Sequence, residues 1–221
     1  MALRTLTSLI EEVRERADMQ DDGNFISDAE ITRYINRSIQ DLYDLVLATE
    51  AAGVYVKNAP ILTQTGLFSY QLPSDFYLLK DASLIEGNTV YRFELADSAD
   101  YATLANDPPP KERGQYLFRF EQDGTKFIYT FPEVDETLFA VTYIPQAIQL
   151  VTGTDTFDGY NGWEDYVVVK SAIKCLDKEE SDSSMLQFEL DTIGREISSS
   201  SGYLDTGRPA FVRKISKGYR Y

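Results

Sequence analysis

The sequence predicts an α+β protein, a helical bundle with two helices before and two after an inserted β-rich segment, followed by an extended C-terminal arm. Three observations carry this expectation. Apolar residues recur at spacings of three and four near both ends of the 221-residue chain; between about residues 53 and 151 the period shortens to two; from residue 201 onward neither period continues. A stretch of different period between helical segments is most economically an insertion, because its two ends can lie together while the flanking helices share a core.

The first helix is predicted over 5–19, where Leu6, Leu9, Ile10, Val13 and Ala17 share a face and Glu and Arg fill the other; Asp21, Asp22, Gly23 and Asn24 should stop it. Ser27 with Glu30 has the spacing of a capping box. The second helix then runs to about Thr49 with Ile31, Tyr34, Ile35, Ser38, Leu42, Leu45 and Val46 on its apolar face. In the middle, Tyr116, Phe118 and Phe120 alternate along 115–121, Asp123-Gly124 turns, and Lys126 to Phe131 returns, the clearest hairpin in the sequence. Further strands are predicted over 68–72, 78–85, 89–95 and 137–144, and a short helix over 98–105. Pro108 to Pro110 is a stiff connector that no central strand accommodates. Helical spacing resumes with Trp163, Tyr166, Val167, Val169, Ile173 and Leu176. After a start at Ser181-Asp182 it continues with Leu186, Leu190, Ile193 and Ile197. The expected division is therefore 1–52 with 152–200 as a discontinuous helical core, 53–151 as the β-rich insertion, and 201–221 as the arm.

Composition narrows the chemistry. Hydrophobic residues make up 43% and charged residues 26%, which argues for a folded chain; 15 Tyr and 12 Phe suit strands and contact surfaces. The net charge of −15 repels DNA phosphates at long range and disfavours sequence-specific DNA binding over the whole surface. With no His, neither Ser-His-Asp nor Cys-His catalysis is possible within one chain, and the commonest metal ligand is missing. The single Cys175 forms no internal disulfide or multi-cysteine zinc site, and beside Ile173 and Leu176 it reads as a buried small apolar residue. No apolar run approaches the roughly 18 residues of a membrane span and the start lacks a secretory apolar region, so a soluble protein without membrane contact is expected.

Four acidic groupings are candidate sites. Asp18, Asp22, Gly23 and Asn24 resemble part of a calcium loop, but the twelfth position counted from Asp18 is Ala29 where a bidentate carboxylate is required. Asp155, Asp158, Asn161, Glu164 and Asp165 match no cation-loop spacing and read as caps for the helix beginning near Gly162. Glu11 with Glu12, and Glu179 with Glu180, are adjacent on helices and so diverge, as solvated charge rather than an acid–base pair. No phosphate-cradling glycine loop or nucleophile elbow is present. The expectation is a non-enzyme with no metal and no cofactor.

The arm is the informative stretch. Arg208, Arg213, Lys214, Lys217 and Arg220 stand against Asp205, so it carries +4 and leaves −19 on the remainder. Arg208, Phe211, Val212, Arg213, Lys214, Ile215, Tyr219, Arg220 and Tyr221 mix cations, apolar groups and rings in the manner of an interface anchor. Fully extended at about 3.3 Å per residue, the arm reaches on the order of 60–70 Å. Docking on a partner or a neighbouring identical subunit is the leading reading; a solubilising tail and nucleic-acid contact are the others.

Leu6-Thr-Ser-Leu-Ile-Glu-Glu-Val-Arg-Glu-Arg-Ala-Asp18, the run from Ser27 to Asp44, and Trp163-Glu-Asp-Tyr-Val-Val-Val-Lys-Ser-Ala-Ile-Lys-Cys175 together resemble the head-to-tail connector, or adaptor, proteins of tailed bacteriophages. The resemblance covers the helical ends and the arm, less closely the β segment. It implies a virion structural protein at the capsid vertex or neck, made in the host cytoplasm. It further implies a homo-oligomeric ring, usually a dodecamer, beneath the portal protein and joined to a downstream tail or neck protein. DNA would pass through this ring without sequence-specific binding, along a channel whose acidic walls do not hold phosphates. The residues from Arg208 to Tyr221 would reach the portal. The alternative is another virion or baseplate binding module whose β insertion recognises a partner or a carbohydrate, and a hydrolase using carboxylates alone is third.

Overall fold

The computed structural model describes residues 3–19, 26–48, 55–121, 124–133, 137–159 and 162–201, and among them the chain is mixed α+β, with five α-helices and three sheets. It divides into two units, Met1–Gly53 with Gln149–Tyr221, and Val54–Ile148.

The helical unit opens on β1 (Arg4–Thr5), which later pairs antiparallel with β10 (Thr156–Phe157). Thr5 then caps α1 (Leu6–Arg16) by accepting the Ser8 N–H at 3.2 Å. Leu6, Leu9 and Val13 are buried, as their spacing requires. The helix is shorter than predicted. Asp18 takes a left-handed conformation (φ 54°), its N–H reaches the Glu15 carbonyl, and the Met19 N–H reaches the Arg14 carbonyl at 2.8 Å. That is a Schellman termination, which satisfies two end carbonyls without glycine. The Asp21–Asn24 stop expected from sequence lies outside the described residues.

α2 (Asp28–Leu47) starts as predicted, with the Ser27 hydroxyl accepting the Glu30 N–H. Ile31, Ile35, Ser38, Ile39, Leu42, Tyr43 and Val46 are buried; Tyr34 and Leu45, placed on the same face by spacing, are half-buried. α4 (Glu164–Lys178) differs in kind. Tyr166 to Val169, Ser171 to Ile173 and Cys175 are all buried, so this helix is enclosed on most of its circumference. It packs on α1, α2 and α5 (Ser184–Ser201). Where α2 and α4 meet, the fully buried Ser38 and Ser171 hydroxyls bond each other at 3.1 Å, so neither is orphaned. Asn36 of α2 bonds both the N–H and the carbonyl of Leu150, tying the returning chain to the unit. α5 is the least buried helix, with Ile197 enclosed and Leu186, Leu190 and Ile193 half-exposed.

The N-cap position of α4 falls to Trp163 rather than to an Asp or Asn. Trp163 makes no side-chain capping hydrogen bond there. Asp155 instead takes the N–H groups of Val151 and Thr152 and the Thr152 hydroxyl, organising its own turn, and the Thr152 hydroxyl, then these N–H groups, hold its carboxyl below the usual range. Glu164 and Asp165 still place negative charge in the first helical turn. Asn161 lies outside the described residues.

In the second unit one sheet has the order β2 (Lys57–Leu62), β9 (Leu138–Pro145), β4 (Phe76–Glu86), β5 (Thr89–Arg92), antiparallel throughout. β2 is not among the predicted strands; it contains Pro60, and as an edge strand it tolerates the missing donor. The other sheet has the order β3 (Ser69–Gln71), β8 (Lys126–Phe131), β7 (Gln115–Phe120), β6 (Glu94–Leu95), with β6 and β7 parallel. Tyr70, Leu72 and Ile128 from this side and Ala82, Leu84, Phe139, Val141 and Tyr143 from the other form one core. The expected hairpin is β7–β8, with Gly124 at φ 86° in its turn. α3 (Tyr101–Asn106) buries Leu104 near Leu117 and Phe131, while the Tyr101 ring stands edge-on to Tyr129 and Phe131.

The predicted strand over 89–95 is in fact two strands in two sheets. The Phe93 N–H still bonds the Ala82 carbonyl, but the next residue's N–H goes to Gly114, and the chain has changed sheets. The buried Phe93 ring packs against Phe139, and Gly114 must lack a side chain, since a Cβ there would lie 2.4 Å from that ring.

Tyr143 pins this core. Its hydroxyl donates to Asp75 at 2.8 Å, and Lys57 reaches the other oxygen at 2.7 Å. Burial, then the Asp75 hydrogen bond and charge, push the phenol up to about 12 from 10.0. A raised pKa stabilises the fold fully below about pH 10, and that contribution is lost as pH climbs through 12. Tyr143→Phe should therefore lower stability by about 1 kcal/mol at neutral pH. The gap between variant and parent should narrow from pH 10 to 12, as followed by urea unfolding at each pH; a gap independent of pH would remove the hydrogen bond as its cause.

Candidate interaction surfaces

A cleft of about 190 Å³ lined by residues 71–74 and 124–126 is smaller than a typical small-molecule pocket. Its one charged group, Lys126, is engaged with the Phe76 carbonyl and lies over the Phe76 ring. Among the described residues no group of His, Cys, Asp or Glu is arranged to hold a metal, and no helix is long and apolar enough to cross a membrane. Cys175 is fully enclosed, and burial above all pushes its thiol up to about 11, the direction of an unreactive side chain. The surfaces are where the chemistry lies.

The first is electrostatic. Residues 1–53 and 149–200 contain nine Lys and Arg against 22 Asp and Glu, yet five of those nine sit together along the junction of α2 and α4. Arg33 and Arg37 come from α2, one turn apart; Lys170, Lys174 and Lys178 come from α4 at the same spacing and form much of what little of that helix reaches solvent. Glu30 and Asp41 are interleaved. Lys178 bonds Glu30 at 2.7 Å, Arg33 approaches the same oxygen at 3.8 Å, and Asp41 is shared by Lys170 at 3.0 Å and Lys174 at 3.6 Å. The stripe thus carries +3.

Neighbouring groups respond. The Lys178 hydrogen bond is the main reason the Glu30 carboxyl sits below its ordinary range. Burial opposes the charge of Lys170, but bonds to Asp41 and Tyr166 outweigh it and raise its pKa. Lys174 goes the other way: burial, together with Lys170 and Arg37 repulsion, depresses it despite Asp41. Exposed ion pairs of this kind contribute only about 0–1 kcal/mol each, so the stripe is weak evidence of stability and better evidence of a surface.

A second charged stripe runs along α1. Glu11 and Glu15, one turn apart, and Asp18 beyond the helix end are exposed on the side away from Leu6, Leu9 and Val13. None of the ion pairs among the described residues uses them. Other α1 charges are engaged: Arg4 pairs with Glu12 and Asp165, and Arg16 with Glu189 of α5 at 3.0 Å. On α5, Met185 and Phe188 are exposed one turn apart, at 79% and 69%.

The third surface belongs to the β unit. Leu62 pairs with Leu138, Leu138 with Ile85, and Ile85 with Val90, so four apolar side chains form one row across the whole sheet β2-β9-β4-β5. Direct cross-strand partners share a face. This is the face turned from the core, because the alternate residues Ile61, Phe139 and Leu84 pack inward. Leu62 is 70% and Val90 58% exposed.

The arm residues singled out from sequence, Arg208, Phe211, Val212, Arg213, Lys214, Ile215, Tyr219, Arg220 and Tyr221, lie outside the described residues; α5 runs through Ser201, at the arm's predicted start. Sequence reasoning missed both other kinds of surface. The lysine spacing on α4 was a readable signal. The apolar row was not, because it exists only through strand register.

No functionally curated protein matches the chain. A family model described as SU10 adaptor protein matches residues 4–200, which reaches into both units and covers every described helix and strand except the last residue of α5. The resemblance to phage head-to-tail adaptors read from the helical ends thus extends across the β segment, and the chain belongs to the SU10 adaptor protein family.

Proposed function

We propose that this chain is a structural subunit of a bacteriophage virion, one of a ring of identical copies beneath the portal that joins capsid to tail and prolongs the DNA channel. The match of the adaptor family over residues 4–200 is the observation that carries the reading. The four helices of the first unit are read as a bundle around α4, with the β unit inserted between α2 and α4. The role is structural rather than catalytic. An acidic body fits a conduit that must not hold DNA, and a +4 arm on a −19 remainder fits a separate anchoring element. The arm from Arg208 to Tyr221 would attach to the portal. The exposed apolar row on the β sheet favours a second attachment there, to a downstream neck or tail protein.

Imaging the purified protein alone and mixed with its portal tests the ring directly; a monomer in both samples would end this reading. A chain ending at Ser200 should keep its cooperative unfolding while losing portal attachment. Within the arm, Phe211→Ala should weaken attachment by about 2 kcal/mol or more, and Lys214→Ala by roughly 0–1 kcal/mol. Titrating portal with each variant at two salt concentrations checks this. Abolition of binding by moderate salt alone would make the arm a polycation instead.

A further inference from the structure

Resting on the reading of the protein as a ring of identical copies, we propose that neighbouring copies meet through their charged helix stripes, the basic α2/α4 stripe of one copy receiving the acidic outer edge of α1 of the next. The two stripes are complementary in sign and in pitch. Arg33 and Arg37, Lys170, Lys174 and Lys178, and Glu11 and Glu15 all repeat every four residues, about 6 Å along a helix. An α1 laid along the α2/α4 junction can therefore face each successive carboxylate with a cation.

Each stripe is unbalanced within its own copy. Arg37 makes no ion pair among the described residues, Arg33 has only the 3.8 Å approach to a Glu30 oxygen already held by Lys178, and Asp41 serves two lysines. Glu11, Glu15 and Asp18 make no ion pairs among the described residues. Lys174 is pushed down by burial and by its cationic neighbours, so a further carboxylate would relieve it.

A second copy is the occupant that the charges select. The helical unit, with 22 acidic groups and nine cations over residues 1–53 and 149–200 and five of those cations on one stripe, offers few other places where two copies attract rather than repel. The patches differ, so the contact is heterologous, and repeated heterologous contacts generate a ring when the rotation closes. Duplex DNA is the competing polyanion, opposed by the −15 net charge.

The test uses the full chain and sedimentation velocity at low and high salt. Arg33→Glu with Arg37→Glu, and separately Glu11→Arg with Glu15→Arg, should each weaken self-association about tenfold or more, while the combination of all four should restore it to within about threefold. The positions are exposed, and native melting of each variant is checked first; the milder Arg37→Gln and Glu15→Gln serve if a reversal unfolds the chain. Parent assembly should weaken as salt rises. If the parent assembles and the reversals leave assembly unchanged, the stripes are not the interface and the ring reading stands. If the parent is monomeric both alone and with portal, both fall. If the parent retards duplex DNA and only Arg33→Glu with Arg37→Glu abolishes this, with assembly intact, the stripe is a DNA contact instead.

Discussion

Leu42→Asp should leave the helical unit without a cooperative unfolding transition. Leu42 is 1% exposed, in the middle of the apolar face of α2. The substitution removes a packed side chain and places a carboxylate within that buried apolar face. An unpaired buried charge costs several kcal/mol, and the lost side chain adds about 2–5 kcal/mol. Against a total stability of about 5–15 kcal/mol, that is enough to unfold the unit. Ile173→Asp should act in the same way from the other side of the chain, because Ile173 is buried on the helix that α1, α2 and α5 all contact. Asp44→Ser, on the exposed side of α2, is the control and should change stability by no more than about 0.5 kcal/mol. Thermal melts followed by circular dichroism decide it. An Ile173→Asp protein that stays soluble and melts like the parent would mean that the helices before and after the β segment do not depend on a common core.

In the β unit Phe139→Ala should cost about 3–5 kcal/mol. Phe139 is fully buried on β9, the strand between β2 and β4, and its ring meets Phe93 at the point where the chain changes sheets. Truncation leaves a cavity that the two sheets can close only by shifting strands already pinned by Tyr143 and Asp75. Leu62→Ala is the informative contrast. Leu62 lies only one residue along β2 from the inward-facing Ile61, yet it belongs to the exposed row and should change stability within about 0.5 kcal/mol. Denaturant unfolding of the two variants separates core from surface along adjacent positions. A large loss from Leu62→Ala would show that the row is internal packing and not available to a partner.

The helices were legible because helical signals are local. The three-and-four spacing of α1 and α2, the Ser27 cap and the change of period in the middle of the chain are all contained within a few residues. The β7–β8 hairpin was legible for the same reason, since alternation and a turn at Gly124 define it without reference to anything distant. The end of α1 was misplaced because Asp18 stops it in a left-handed conformation that glycine usually supplies.

What the sequence by itself determined, then, was the class of the protein, the side of each helix that faces inward, and the segregation of a basic arm from an acidic body. Only the tertiary structure decided that Pro60 lies in an edge strand, that the segment around Phe93 divides between two sheets, and that α4 is enclosed by three other helices. The same is true of the surfaces. Leu62, Leu138, Ile85 and Val90 are up to 76 residues apart in sequence and become one row only through register. Arg33 and Arg37 join Lys170, Lys174 and Lys178 only because α2 and α4 pack against each other. Local spacing sets which face of an element is apolar; which elements become neighbours is set by the packing of many weak contacts at once, and no short window of sequence contains that information.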